Sequence, residues 1–330
     1  MRDQFGRTID YMRVSVTDRC NLRCVYCMPA EGVPYVPHRE ILDFDEITRI
    51  CRIGAELGIK KLKLTGGEPL VRKGLADLLG MLKKIPGIEQ VTLTTNGTLL
   101  KEQINQLVSN GLDFVNISLD TLDPERYREV TRGGSVEKAL EGLHAAAEYK
   151  GLGVKVNCVP LKEADDEEYI RLARFAEEGK ADVRFIEMMP IGMGKSFEGR
   201  SGEDICAVLS RVYGKPEVYS GRLGNGPAVY VRFPGFRKYI GFISAVSHQF
   251  CGGCNRIRLT AEGYLKPCLQ YGEGADLRAL LRNGAEDEGI RAAMERTIYE
   301  KPPCHQFTGP GSGRQRERTL ETKEMSRIGG

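Results

Sequence analysis

Between residue 12 and about residue 187 the apolar side chains keep changing period. Short stretches alternate apolar and polar residues, as a half-buried strand does, and longer stretches between them repeat every three to four residues, as an amphipathic helix does. The alternation predicts strands at 12–16, 61–65, 90–94, 113–119, 154–159 and 182–187. Among the helical stretches, 45–57 places Ile47, Ile50, Ile53 and Leu57 on one face. The helices 136–150 and 166–178 follow Ser135 and Asp165, residue types suited to N-caps. Repeated strand–helix units imply a parallel sheet with right-handed crossovers. Six units fit either an α/β barrel short of the usual eight or an open doubly wound sheet.

The rhythm changes after residue 187. A Gly-rich loop at 190–202, a helix at 203–213 and a second loop at 221–226 precede two strands, 228–233 and 239–244, antiparallel around Pro234-Gly235. These features place a boundary near residue 220, dividing a core at 4–220 from a C-terminal region at 221–330. The tail from about residue 300 is rich in Pro, Gly and charge, and is expected to pack poorly.

Strand faces sharpen the picture, because residues i, i+2 and i+4 share one face. Each strand has an apolar face that suits the helices and a polar face left for the inside of the sheet. The inner set contains Arg13, Lys61, Lys63, Lys155 and Arg184 against Asp120 and Asp182. A polar interior is costly unless something polar fills it, so the pattern predicts a positively charged cavity for a polyanion. The alternative is that some of these strands lie at wetted edges.

Of 330 residues, 41% are hydrophobic and 28% charged, which excludes disorder over most of the length. A net charge of only +3 excludes a nucleic-acid coat or polybasic membrane binder. No apolar run approaches the roughly 20 residues of a membrane span. MRDQFGRTID lacks the apolar core of a secretory leader, so a cytoplasmic location is expected.

Cysteine departs from this ordinary composition. Ten are present; Cys51, Cys158, Cys206 and Cys304 are scattered, and the other six form two groups. Clustered cysteines in a cytosolic chain point to metal or catalysis before disulfides. The first group, Cys20-Asn-Leu-Arg-Cys24-Val-Tyr-Cys27, is C-x₃-C-x₂-C directly after the first strand. Three thiolates are one short of a closed zinc site or a fully ligated iron–sulfur cube, and a cube so held leaves one iron open. The second group is Cys251-Gly-Gly-Cys254 with Cys268, again three. Zinc shared between the groups, a zinc knuckle or a redox pair remain alternatives. Arg256 and Arg258 beside the second group could hold phosphate or a base edge. Gly192-Met-Gly-Lys195-Ser196 imitates half a P-loop, but Met189 stands where its first glycine belongs. His38, His144, His248 and His305 have no ligand spacing.

The first cysteine group resembles the cluster loop of the radical S-adenosylmethionine superfamily, and Thr65-Gly66-Gly67-Glu68-Pro69 resembles its second-strand turn. In that superfamily the open iron chelates S-adenosylmethionine, whose reductive cleavage gives methionine and a 5′-deoxyadenosyl radical. The whole chain from Gly6-Arg7 onward is similar to the GTP 3′,8-cyclase family of molybdenum-cofactor biosynthesis. The likeness includes Arg13–Cys20, Leu93-Thr-Thr-Asn-Gly97, Asn116-Ile-Ser-Leu-Asp120, Val154-Lys-Val-Asn157, Arg184-Phe-Ile-Glu-Met-Met189 and the final Gly329-Gly330.

This resemblance implies an α/β fold: an incomplete (β/α)6 TIM-like barrel with a C-terminal α+β extension carrying a second iron–sulfur cluster and a flexible Gly-Gly tail. It implies a lyase-type enzyme that converts GTP to (8S)-3′,8-cyclo-7,8-dihydroguanosine 5′-triphosphate. Cys20, Cys24 and Cys27 would hold the 4Fe–4S cluster that cleaves S-adenosylmethionine. Cys251, Cys254 and Cys268 would hold a second 4Fe–4S cluster, meeting the guanine. Tyr26, Gly67, Ser118 and Met189 would contact S-adenosylmethionine. Arg13, Lys63, Thr94, Lys155, Arg256, the Ile257 backbone and Arg258 would bind GTP. Arg256, Arg258, Gly329 and Gly330 would act in catalysis, the two glycines threading into the cavity. A low-potential electron donor and cyclic pyranopterin monophosphate synthase are the implied partners of a monomer or homodimer, with no nucleic acid and no membrane. The family usually has Arg where this chain has Lys63, which keeps the charge but loses the planar grip on phosphate. The rival readings are a peptide-modifying radical enzyme with an auxiliary cluster and a non-enzymatic zinc or redox sensor.

Overall fold

The computed structural model describes residues 1–221, 223–307 and 318–329. Twelve strands form one sheet. In chain order they are β1 (Tyr11–Ser15), β2 (Lys61–Thr65), β3 (Gln90–Thr95), β4 (Phe114–Ser118), β5 (Gly153–Cys158), β6 (Asp182–Ile186), β7 (Glu217–Tyr219), β8 (Val229–Arg232), β9 (Ile240–Ile243), β10 (Arg256–Leu259), β11 (Tyr264–Lys266) and β12 (Ala275–Asp276). Strands β1 to β6 run parallel in sequence order, as the strand–helix rhythm predicts.

The C-terminal residues complete this sheet on both sides. The strand β10 adds parallel to β1, with Tyr11 opposite Arg256 and Arg13 opposite Arg258. The strand β9 adds parallel to β6, while β8 pairs antiparallel with β9 as expected. Antiparallel β11–β12 and β7 form the outer strands.

The helices are α1 (Phe44–Glu56), α2 (Leu75–Lys83), α3 (Leu100–Ser109), α4 (Pro124–Thr131), α5 (Val136–Ala147), α6 (Asp166–Glu177), α7 (Gly202–Tyr213), α8 (Leu277–Arg282), α9 (Asp287–Tyr299) and α10 (Met325–Ile328). Capping follows sequence closely. Asp43 and Glu46 form a reciprocal capping box on α1, and the Ser135 hydroxyl accepts from the Lys138 amide on α5. Asp165 departs from expectation: it occupies the N-cap of α6, but its side chain makes no capping bond. The acidic first turn, Asp166, Glu167 and Glu168, still complements the helix dipole there.

The apolar strand faces build the core with the helices. Met12, Val14, Leu62, Leu64, Val91, Leu93, Val115, Ile117, Val156 and Val183 are all fully buried in it, together with Ile47, Ile50 and Ile53 of α1. The expectation of a poorly packed tail is overturned for the described part. Lys301, His305, Ser326 and Ile328 are all at most 5% exposed. The reason is polar: Arg7, itself held by Asp3 at 2.6 Å, donates to the carbonyls of Pro302 (2.7 Å), Pro303 (2.9 Å) and Cys251 (2.9 Å). Gly329, expected in a flexible tail, is likewise buried; Gly330 lies outside the described residues. No helix among the described residues is long and apolar enough to cross a membrane.

Candidate functional site

The polar strand faces meet in one cavity of about 360 Å³. Arg13, Lys63, Thr92, Thr94, Asn116, Ser118, Lys155, Asn157 and Arg184 line it, and β10 contributes Arg256 and Arg258. Alternation along β1 to β6 therefore identifies the wall residues of those strands. Two expected inner residues lie elsewhere. Lys61 is paired with Asp10 at 2.9 Å, away from the lining, and Asp182 reaches Lys155 at 3.2 Å.

Both cysteine groups open onto this same cavity. Cys20, Cys24 and Cys27 follow β1; Cys251 and Cys254 precede β10, and Cys268 follows β11. All six are free thiols. Burial pushes Cys20 up to about 11 despite the Leu22 amide, and Cys27 to about 12; Cys24 also rises well above its ordinary value. Such thiols keep their protons near neutrality unless a metal displaces them. Burial would also raise Cys254, but Arg256 and Lys301 outweigh it and hold that thiol at about 6.

Soft thiol donors in threes suit iron–sulfur chemistry. Among the described residues no three His, Cys, Asp or Glu side chains could hold a single metal ion. A cube of iron and sulfide is larger and needs its cysteines only at its corners, so the donor set fits such a group.

The Gly66-Gly67 turn has a local cause. A Cβ on Gly67 would sit 2.4 Å from the Arg19 carbonyl, and one on Gly66 2.5 Å from the Thr17 carbonyl. The turn is fastened to that segment by Gly67 N–H to Thr17 (2.8 Å) and Glu68 N–H to Arg19 (2.8 Å). Only glycine lets the turn lie directly against the chain leading to Cys20. Glu68 is buried beneath it and accepts from Thr95 Oγ1 (2.7 Å), the Asn96 amide (2.7 Å) and the Leu70 amide (3.0 Å). Burial nevertheless lifts its carboxyl to about 7.

Tyr26 lines the cavity beside the first triad, and its hydroxyl donates to Asp120 Oδ2 at 2.6 Å. Asp120 also accepts from the Val159 amide at 2.8 Å. Gly67, Ser118 and Met189 line the cavity too. Gly192–Ser196, the half P-loop imitation, is a short 3-10 helix.

The lining holds seven Lys and Arg side chains against two carboxylates, Glu68 and Asp120. Some of this charge is engaged. Lys155 has Asp182 and the Tyr230 hydroxyl, and Arg184 has Asn157 at 2.8 Å and Asn116. Lys63 is different: it is 9% exposed, and its amine has no hydrogen-bond or ion-pair partner among the described residues. Burial first, then Arg184 and Arg13, depress its pKa well below the ordinary value.

Ile257, between the two arginines, is fully buried in the core. Gly329 reaches the wall rather than the lumen: its carbonyl accepts from Arg258 at 2.6 Å, and it lies beside Ser15 and Thr65. Glu68, Lys301, His305 and Phe307 also line the cavity, and no sequence pattern marks them for it. Their contributions come from loops, where no periodicity marks a face.

The Radical SAM superfamily model matches residues 14–176, and the Molybdenum Cofactor Synthesis C model matches residues 181–307. A GTP 3′,8-cyclase of Clostridium perfringens (strain 13 / Type A) is 44% identical over 332 residues, covering 100% of both chains. One from Heliobacterium modesticaldum is 46% identical over 333 residues, again covering both completely. Streptococcus suis SuiB bound to S-adenosylmethionine has a TM-score of 0.61 at 17% identity, with 86% of this chain and 68% of that one covered. SuiB bound to precursor peptide SuiA has a TM-score of 0.63 at 16% identity, covering 90% and 66%. The structural likeness, at such identity, shows the radical S-adenosylmethionine fold alone. With full-length relatives above 40% identity and both family models matched in order, the chain belongs to the GTP 3′,8-cyclase family of the radical S-adenosylmethionine superfamily.

Proposed function

We propose that the cavity carries out the radical cyclisation of GTP to (8S)-3′,8-cyclo-7,8-dihydroguanosine 5′-triphosphate, an early step of molybdenum-cofactor biosynthesis. The observation that carries this reading is the meeting of two cysteine triads and a cationic wall in one cavity, whose lining includes Lys63, buried and without a partner among the described residues. An unpaired buried cation is costly unless a ligand supplies the countercharge. A nucleoside triphosphate supplies it.

Cys20, Cys24 and Cys27 would hold one 4Fe–4S cluster, and Cys251, Cys254 and Cys268 a second. Bound there, the clusters supply an electron for opening S-adenosylmethionine and a vacant iron corner for each guest. The remaining work belongs to the chain. Tyr26, Gly67, Ser118 and Met189 seat S-adenosylmethionine, with Asp120 fixing the Tyr26 ring. Arg13, Lys63, Thr94, Lys155, Arg256, the Ile257 backbone and Arg258 hold GTP, so that the ribose faces the first triad and the base the second. Proximity and exclusion of water are the protein's main contributions. Gly329 keeps Arg258 aimed into the site.

We further read the architecture as an incomplete (β/α)6 barrel at 4–220, closed on both flanks by a cluster-bearing region at 221–330. A low-potential donor would feed it in the cytoplasm, and cyclic pyranopterin monophosphate synthase would take its product. Anaerobically reconstituted protein given GTP, S-adenosylmethionine and a reductant should form the cyclic nucleotide and carry about eight irons per chain. Alanine in place of any one of the six triad cysteines should halve the iron. Zinc in place of iron, or no GTP consumption by iron-replete protein, would reject the reading.

A further inference from the structure

We infer that His305 is a hydrogen-bond donor to the purine ring of the bound nucleotide. The inference rests on the proposed placement of the base at the second cysteine triad.

His305 is 5% exposed and lines the cavity together with Cys251, Cys254 and Cys268. Its ring is held on two sides. It stacks on Phe307 with ring centres 4.2 Å apart and planes at 27°, and Nδ1 accepts from the Phe307 amide at 3.4 Å. An accepting Nδ1 leaves the proton of the neutral ring on Nε2. That Nε2 is buried and has no hydrogen-bond partner among the described residues. The backbone of Ala245 comes within interaction range of the ring and favours its protonated form, yet Nε2 makes no hydrogen bond of good geometry among the described residues. Buried polar groups are nearly always paired, so an orphan on a cavity wall points to a ligand atom.

The segment bearing His305 is pinned as a binding element would be. Lys301 Nζ donates to the Arg256 carbonyl at 2.9 Å and to the Pro267 carbonyl at 2.5 Å. Tyr271 donates to the Cys304 carbonyl at 3.1 Å, and the Gln306 amide donates to Gln270 Oε1 at 2.6 Å. With the Arg7 clamp, these contacts fix the imidazole relative to the triad. Guanine offers two neighbouring acceptors, O6 and N7, to a donor approaching that edge, whereas adenine offers N7 beside an amino group. His305 therefore favours guanine over adenine.

The test measures GTP and ATP dissociation constants by anaerobic equilibrium dialysis on iron-loaded wild type, His305→Ala and His305→Gln, with iron counted in each. The Ala variant should bind GTP about tenfold more weakly, with its iron unchanged and its ATP binding moved less. The Gln variant keeps an N–H donor and should recover most of the affinity. Unchanged GTP binding in an iron-replete Ala variant would overturn the inference. So would loss of iron in both variants, which would assign His305 to the cluster. A wild-type chain that binds no GTP would instead overturn the placement of the nucleotide, and the inference with it.

Discussion

The guanidinium of Arg258 on β10 donates to the carbonyl of Gly329 at 2.6 Å, and both residues are buried. A charge-assisted bond of this kind contributes about 1.5–3 kcal/mol locally. It couples the cationic wall to the end of α10, so the tail sets where one arginine of the site points.

Gly329 tolerates no side chain. Its φ is +74°, in the left-handed region, and a Cβ there would stand 3.2 Å from Ser15 Cβ and 3.3 Å from Thr65 Cγ2. Gly329→Ala should therefore lower cyclic-nucleotide formation at least tenfold. Iron content should hold, whereas the left-handed φ and the crowded Cβ should cost the fold about 1–2 kcal/mol. Assaying turnover beside iron and melting temperature checks this. Wild-type turnover in the variant would show that the tail does not position Arg258.

Lys63 invites a test in which stability and function move in opposite directions. Its amine is buried with no partner among the described residues, and Arg13 and Arg184 repel it. Lys63→Met keeps the stem and removes the charge. The cluster-free variant should resist urea better, by about 1–3 kcal/mol. GTP binding to the iron-loaded variant should weaken tenfold or more. A variant that loses stability, or binds GTP normally, would show that the lysine serves the fold instead.

The strands and their faces were legible because alternation is a local property. Met12, Leu62, Val91 and Val115 fall in the core, and Arg13, Lys63, Thr92 and Asn116 on the cavity, as a two-residue period requires. The lateral addition of β10 to β1 and of β9 to β6 was not legible. Tyr11 meets Arg256, and Val183 meets Ile240, through pairings far apart in the chain that no local pattern encodes. Lys61 fits the same period as Lys63, yet it stands at the start of β2, where Asp10 can reach it. Both cysteine triads showed by spacing. His305 did not, since the atoms that fix it come from Phe307 and from the distant residues that pin its segment.

Glu68 gives the cluster-free chain a pH dependence of definite sign. Burial raises its carboxyl from 4.5 to about 7, against the three donors that favour the ionised form. The folded state therefore holds a proton that the unfolded state releases between about pH 4.5 and pH 7. Stability falls as pH rises through that window and levels off above it, a total of about 3 kcal/mol. Urea unfolding at successive pH values measures the slope. Glu68→Gln cannot ionise and should flatten it, at the cost of one mispaired amide opposite Asn96 or Leu70. A wild-type curve rising over the same window would contradict the assignment.

Arg7 links the N-terminal segment to the second triad, and its removal should be felt there first. It is 8% exposed and satisfies the carbonyls of Pro302, Pro303 and Cys251 while paired with Asp3. Arg7→Ala leaves these acceptors and the Asp3 carboxylate buried without it, a loss of about 3–5 kcal/mol. Arg7→Lys should recover only part, because an ammonium cannot reproduce the planar fork that spans four carbonyls, that of Lys301 included, and a carboxylate. The segment carrying Lys301 and His305 would loosen from Cys251, whereas the first triad, held by its own loop and the Gly66-Gly67 turn, would keep its surroundings. Iron counts on Arg7→Ala after anaerobic loading should thus approach half the wild-type value, while reductive cleavage of S-adenosylmethionine persists. Equal loss of iron from both triads would show that Arg7 supports the fold as a whole rather than the second site.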